Sequence, residues 1–130
     1  QKLKVTQAVR FLGYLSDGEL EAEYGRCRLF AMPSRGEGFG LVYLDAMRFA
    51  RPVIVSNCDA GQEIIEDGQT GYVVNPCHRN SLAEKVQTLL SNPEMAASMG
   101  NAALNHWRDH YSRSAFKERF VPLLKEFLKT

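Results

Sequence analysis

Residues 33–47, PSRGEGFGLVYLDAM, decide the fold of this chain because two different periodicities meet in them. The apolar run 29–32 that precedes them has the length and composition of a buried strand. After Gly40, apolar side chains recur at helical spacing, at Leu41, Leu44 and Met47. The stretch therefore predicts a strand, a glycine-rich loop over 35–39 and a helix that begins near Phe39 or Gly40.

The same alternation of short apolar runs and helical segments continues on both sides of this stretch. Further strands are predicted at residues 9–12, 52–55 and 72–74. A helix is predicted over about 17–26, where Ser16 and Glu19 have the spacing of a capping box. Strands that are apolar at every position are buried on both faces, which is typical of parallel sheets with crossover helices. The sequence predicts an α/β domain over 1–130, with a partial Rossmann-like, doubly wound parallel sheet of about four strands and helices on both faces.

The C-terminal third is predicted to be helical. Asn92 and Pro93 have the order expected at the start of a helix, with Asn as cap and Pro at the first helical position. A last helix is predicted from about residue 112, with an apolar face formed by Phe116, Phe120, Leu124 and Phe127. Pro122 lies inside it and is expected to break or kink it.

Composition excludes several classes of protein. A formal net charge of +1 gives no global attraction to nucleic acid, so no nucleic-acid partner is expected. The three cysteines form no CxxC pair, which indicates reduced thiols and a cytoplasmic location. Neither Cys77-His78 nor the His106/His110 pair has a convincing third ligand, so no metal site is predicted.

The glycine-rich loop has the features of an anion site. Glycines at 36, 38 and 40 let the backbone approach a ligand and adopt unusual dihedral angles. The unpaired N–H groups and the dipole of the following helix favour a phosphate or diphosphate. The loop also follows a parallel strand, and ligands of doubly wound sheets bind at that edge.

Two carboxylates flank these amides. Glu37 and Asp45 would repel an anion, but they suit hydroxyl groups on neutral parts of the same ligand. Together these groups suit a ligand that contains a sugar, a diphosphate and a ribose. On these residues alone, a glycine-rich turn with two solvated acids remains the alternative.

The stretch resembles the E-x7-E motif of retaining GT-B glycosyltransferases, the group that includes glycogen and sucrose synthases. Glu37 matches the first acid, and residues 38–41, GFGL, match its usual sequel. Other segments follow in the family's order and spacing, namely 11–13, 30–34, 51–54, 61–64 and 67–74. The resemblance covers residues 9 to about 128.

The resemblance implies a function and a set of site residues. Glu37 is the catalytic acid beside the donor sugar, and the second acid, at Asp45, binds ribose hydroxyls. Sugar and diphosphate are held by backbone amides at Gly38, Phe39, Gly40, Leu41 and Val42. The reaction transfers a hexose-type sugar from a nucleoside diphosphate sugar to a hydroxyl acceptor, with retention of the anomeric configuration. The leaving diphosphate assists attack on the same face of the sugar. The resemblance implies no cofactor and no essential metal.

Some positions depart from the family pattern or have a second interpretation. Asp45 is one methylene shorter than the usual Glu, and Arg51 stands where the family usually has Gly. Tyr14 and Leu15, just past a predicted strand, are candidates to frame the nucleotide base, although a packed turn would also explain them. Glu63 is expected to cap the following short helix.

The resemblance also implies that the chain is only the donor-binding part of such an enzyme. It is expected to lack the N-terminal acceptor domain and the upstream Arg and Lys that neutralise the diphosphate, since Lys2 and Lys4 lie in no recognisable motif. We therefore expect the chain to be inactive alone and to self-associate through its uncovered surfaces. The full-length enzyme would be cytoplasmic, with peripheral membrane association left open. Two alternatives remain, a non-catalytic module that binds a nucleotide sugar or a partner, and a sugar-nucleotide epimerase.

Overall fold

The computed structural model describes Val5, residues 7–78 and residues 80–129, so Lys2 and Lys4 lie outside the described residues. Helices and short strands alternate, and three helices end the chain. The elements are α1 (Asp17–Arg26), β1 (Phe30–Ala31), α2 (Leu41–Arg48), β2 (Val53–Ser56), α3 (Gly61–Ile64), β3 (Gly71–Val74), α4 (Ser81–Ser91), α5 (Pro93–His110) and α6 (Arg113–Phe127).

The strands form a parallel sheet with β2 in the centre, in the order β1-β2-β3. Val53 and Val55 of β2 pack in one apolar cluster, together with Tyr43 and Met47 of α2. Ile54, between them, packs on the other side of the sheet in a second cluster, with residues of α4 and α5. Alternate side chains of a strand point to opposite faces, so both faces of the sheet are covered. The predicted parallel sheet with helices on both faces is confirmed.

The prediction of a strand at residues 9–12 is wrong. The segment forms no strand, and the described part of the chain has three strands instead of about four. Val9 is 48% exposed and Phe11 is 93% exposed. An apolar run becomes a strand only where a neighbouring strand accepts its backbone hydrogen bonds, and the two-residue β1 offers a short edge.

The helix boundaries follow the sequence signals closely. Ser16 precedes α1, and its backbone N–H donates to Glu19 Oε2 at 2.9 Å. Pro93 is the first residue of α5, and Asn92 is its N-cap. α6 continues through Pro122 to Phe127, so the helix does not break there, and the kink that was the alternative stays a prediction.

α6 exposes a broad apolar surface. Its N-terminal turn is anchored by Ser112, which accepts a hydrogen bond from Ala115 N, and Ala115 is buried. The exposed apolar side chains beyond it are Phe116, Phe120, Val121, Leu123, Leu124, Phe127 and Leu128. Self-association through this surface stays a prediction. No helix in the described part of the chain has the length and apolar character needed to cross a membrane.

Candidate functional site

The loop between β1 and α2 lies at the carboxyl end of the edge strand, where the sequence places the anion site. Gly40 is the N-cap of α2, and its φ of 82° is in the left-handed region. A Cβ there would lie 2.5 Å from Cδ2 of the buried Tyr43 ring, so the position requires glycine. Gly36 and Gly38 do not adopt positive φ, and the space around them is open. Of the three loop glycines, only Gly40 therefore adopts the unusual dihedral angle that was expected.

Glu37 bonds to the start of the helix that it precedes. Its Oε1 accepts a hydrogen bond from Gly40 N at 3.1 Å. Its backbone carbonyl accepts from Ala60 N, also at 3.1 Å, which ties the loop to the segment after β2. The half-buried carboxyl thus has a defined position beside the first turn of α2. In that turn, the N–H groups of Leu41 and Val42 have no partner within the helix by helical geometry.

Asp45 faces α1. It is half-buried and lines a cavity of about 200 Å³ whose other residues are Asp17, Leu20, Glu21, Tyr24 and Arg48. Arg48 Nη2 donates to Glu21 Oε1 at 2.5 Å and closes one side of this cavity.

Tyr14 and Leu15 line a separate cleft of about 430 Å³. Its other residues are Arg10, Phe11 and Leu12 before α1, and Glu19, Ala22, Glu23 and Arg26 on α1. Tyr14 is 97% exposed, so its ring is free to stack on a flat ligand. Neither Glu37 nor Asp45 lines this cleft, and α1 stands between it and the Asp45 cavity.

A further cavity of about 180 Å³ opens beside the glycine-rich loop. Gly38 and Phe39 form one wall, and Ala60, Glu63, Ile64 and Tyr111 form the remainder. Burial raises the pKa of Tyr111, which keeps its hydroxyl protonated. Sequence reasoning did not place Tyr111 near the loop, because the two are far apart in the chain.

Glu63 does not cap α3, so that expectation is wrong: the N-cap is Ala60, and the side chain that bonds to the first turn is Asp59, one residue before it. Asp59 Oδ1 accepts a hydrogen bond from Gly61 N at 2.7 Å, whereas Glu63 lies within α3 and is exposed. An Asp two residues before a backbone donor is the usual Asx-turn signal, and it was available in the sequence. Asp59 is buried, at 7% exposure, and its Oδ2 also accepts from the Tyr43 hydroxyl at 3.0 Å.

Tyr43 stays protonated in this setting. Burial, and then its hydrogen bond to Asp59, raise the pKa of Tyr43 well above the ordinary value. The charges of Asp59 and Glu37 raise the pKa of Tyr43 further. Among the described residues, no group of three or more His, Cys, Asp and Glu side chains is arranged to hold a metal ion.

Comparisons with known proteins agree on the kind of domain that carries this site. A lipopolysaccharide core biosynthesis mannosyltransferase of Rhizobium leguminosarum bv. viciae is 33% identical over 108 residues, covering 83% of this chain and 30% of that protein. Sucrose-phosphate synthase from Thermosynechococcus elongatus shares the fold with a TM-score of 0.86 and 26% identity, over 96% of this chain and 31% of that one. The C-terminal domain of a group 1 family glycosyltransferase from Francisella tularensis shares it with a TM-score of 0.72 and 27% identity, over 85% of this chain and 60% of that one.

These matches confirm the predicted fold, the C-terminal part of a GT-B architecture. The chain spans only 30% of the length of the Rhizobium relative. The sequence profile described as "Glycosyl transferases group 1" matches residues 1–106. The chain belongs to the group 1 glycosyltransferase family.

Proposed function

We propose that this chain is the donor-binding part of a retaining glycosyltransferase that moves a hexose-type sugar from a nucleoside diphosphate to a hydroxyl acceptor. The observation that carries the proposal is the left-handed Gly40 at the start of α2, with the Glu37 carboxyl bonded to its N–H. A carboxylate acceptor next to the N-terminal amides of a helix, beyond a parallel strand, supports a site for a sugar joined to an anion. The Rhizobium relative is a mannosyltransferase, which supports a hexose as the transferred group.

The main parts of the donor have proposed partners. The amides of residues 38, 39, 41 and 42 hold the sugar and diphosphate, Gly40 N bonds to Glu37, and the Glu37 carboxylate also accepts hydrogen bonds from sugar hydroxyls. The Asp45 cavity takes the ribose. The base is bonded directly to that ribose, so Tyr14 and Leu15, whose cleft lies on the other side of α1, are left out of this scheme. The bond from the sugar's anomeric carbon to the diphosphate breaks as the acceptor oxygen bonds to the same face. The acceptor's proton passes to the leaving diphosphate, so no protein base and no metal ion is required in this scheme.

The full-length gene product, assayed with UDP-, GDP- and ADP-hexoses and candidate acceptors, tests this function. We expect transfer with one class of donor, and an NMR spectrum in which the new linkage keeps the donor's anomeric configuration. The chain 1–130 alone should show no turnover and weak nucleotide binding, since each missing charge-assisted hydrogen bond removes about 1.5–3 kcal/mol. An inverted product would contradict retention, and turnover by the 130-residue chain would contradict its dependence on a partner domain. Donor binding by the full-length protein without transfer to any acceptor would favour the non-catalytic module.

Asp45→Ala in the full-length enzyme should raise the donor KM about tenfold, with a smaller effect on kcat. It removes a charged acceptor whose hydrogen bonds to ribose are formed equally in ground and transition states. Asp45→Glu should be neutral or beneficial, because it restores the longer side chain that is usual in the family. Steady-state kinetics with varied donor measure both. Glu84→Ala, which removes an exposed carboxylate on α4 outside the cavity, is the control and should leave the donor KM within about twofold. Equal changes in KM for Glu84→Ala and Asp45→Ala would remove the ribose assignment.

A further inference from the structure

A buried pair, Tyr43 and Asp59, joins three segments around the glycine-rich loop. Tyr43 has no exposed surface and Asp59 has 7%. The Tyr43 hydroxyl lies 3.0 Å from Asp59 Oδ2 and 3.0 Å from the backbone carbonyl oxygen of Met32. Both partners are acceptors, so the single hydroxyl proton is shared between them, and one phenol connects α2 with the end of β1 and with the segment between β2 and α3. Buried polar groups carry a penalty unless they are paired, so these bonds hold the three segments in one arrangement.

The pair leads directly to Glu37 along two paths. On one side, Asp59 bonds to Gly61 N, and the neighbouring Ala60 N donates to the Glu37 carbonyl at 3.1 Å. On the other, the Tyr43 ring packs so closely under Gly40 that a Cβ there would overlap it, and Gly40 N donates to the Glu37 carboxyl. The backbone and the side chain of Glu37 are therefore both held by atoms next to the pair.

We propose that Tyr43 and Asp59 are positioning residues for Glu37, which hold the 36–40 loop in the geometry that the transfer reaction needs. The proposal rests on the transferase function proposed above. Neither side chain is required to touch the donor, because both act through the loop. A displacement of about 1 Å at a reacting group is enough to lower a rate by up to 100-fold, so a loop held through one shared hydroxyl proton is sensitive to the loss of that hydroxyl.

Tyr43→Phe in the full-length enzyme tests the link to Glu37. It removes the hydroxyl and keeps the ring, and we expect kcat to fall about tenfold or more. In a Glu37→Gln background, the same substitution should lower kcat by less than about twofold, since residues that act as a unit are not additive. Asp59→Asn, which keeps an acceptor oxygen for Gly61 N, should be milder than Asp59→Ala. Tyr72→Phe is the matched control, because the Tyr72 hydroxyl lies 3.8 Å from Met95 Sδ, away from the loop.

Amide hydrogen exchange on the same proteins gives a readout that does not require activity. Tyr43→Phe should speed exchange within residues 34–42 and 59–61, and Tyr72→Phe should leave these segments unchanged. Unchanged exchange there would overturn the proposal, as would a kcat within twofold of the wild type. An equal loss of kcat in both Glu37 backgrounds would assign Tyr43 to general stability and also overturn it. If the wild type transfers no sugar, the function proposed above fails, while hydrogen exchange still decides whether the pair holds the loop.

Discussion

Glu37→Gln is expected to lower kcat of the full-length enzyme by about 100-fold or more, the loss typical of one preorganised electrostatic contact in a transition state. The substituted amide keeps an oxygen that can accept the hydrogen bond from Gly40 N, so the local structure should persist. What changes is the charge next to the donor sugar. As the bond to the diphosphate breaks, positive charge develops on the sugar, and a carboxylate stabilises hydroxyl groups and charge there better than an amide does.

Steady-state kinetics and thermal unfolding of the same preparations separate this effect from damage to the fold. The donor KM should change less than kcat, and the unfolding midpoint should stay that of the wild type. Glu84→Gln makes the same chemical change at an exposed position on α4 and should leave kcat within about twofold. Wild-type kcat in the Glu37 variant would remove the catalytic assignment of Glu37.

The parts of the fold that could be predicted are those in which the signal is local. Gly40 ends a glycine-rich stretch and begins a helical period, and it is the N-cap of α2. Residues 53–55 are apolar at every position, and all three side chains are fully buried in β2. Pro93 after Asn92 predicts the start of α5 because proline's fixed φ suits a first helical position. In each case a few neighbouring residues determine the backbone conformation.

The parts that failed depend on partners distant in the chain. Residues 9–12 have the pattern of a strand, but in the described chain no strand pairs with them. Pro122 is a separate, local case: α6 continues through it, so a break does not occur, and a kink stays a prediction.

In the candidate site too, contacts between residues that are adjacent in sequence could be predicted and contacts between distant residues could not. Glu37 and the N-terminal turn of α2 lie together as the motif implies, since they are adjacent in sequence. The hydrogen bond from Tyr43 to Asp59 joins residues 16 positions apart, on elements whose packing the sequence does not state. Tyr43 has the helical spacing of an ordinary core residue, and the residues next to it in sequence give no sign of an acceptor for its hydroxyl. The hydrogen-bond partners of buried polar groups therefore could not be predicted from the sequence and are seen only in the structure.

Gly40→Ala is expected to destabilise the chain by about 2–4 kcal/mol, the sum of left-handed strain and steric overlap. An alanine at φ 82° carries the strain that glycine avoids. Its methyl group would also lie 2.5 Å from the Tyr43 ring, which is held by hydrogen bonds to Met32 and Asp59 and cannot move without breaking them. The start of α2 would shift, and with it the N–H to which Glu37 bonds, so the full-length variant should also lose most of its activity.

Gly68→Ala separates the two causes of this loss. Gly68 has a φ of 78°, close to that of Gly40, but no atom lies within 4 Å of the position of its Cβ. Its substitution should therefore show the strain alone, about 1–2 kcal/mol. Urea unfolding of the 130-residue chain, followed by the fluorescence of its single tryptophan, Trp107, which packs against the same cluster as Tyr43, measures both variants. A larger loss for Gly40→Ala would show that the close contact with Tyr43 shapes the start of α2, whereas equal losses at the two glycines would show that only the backbone angle matters there.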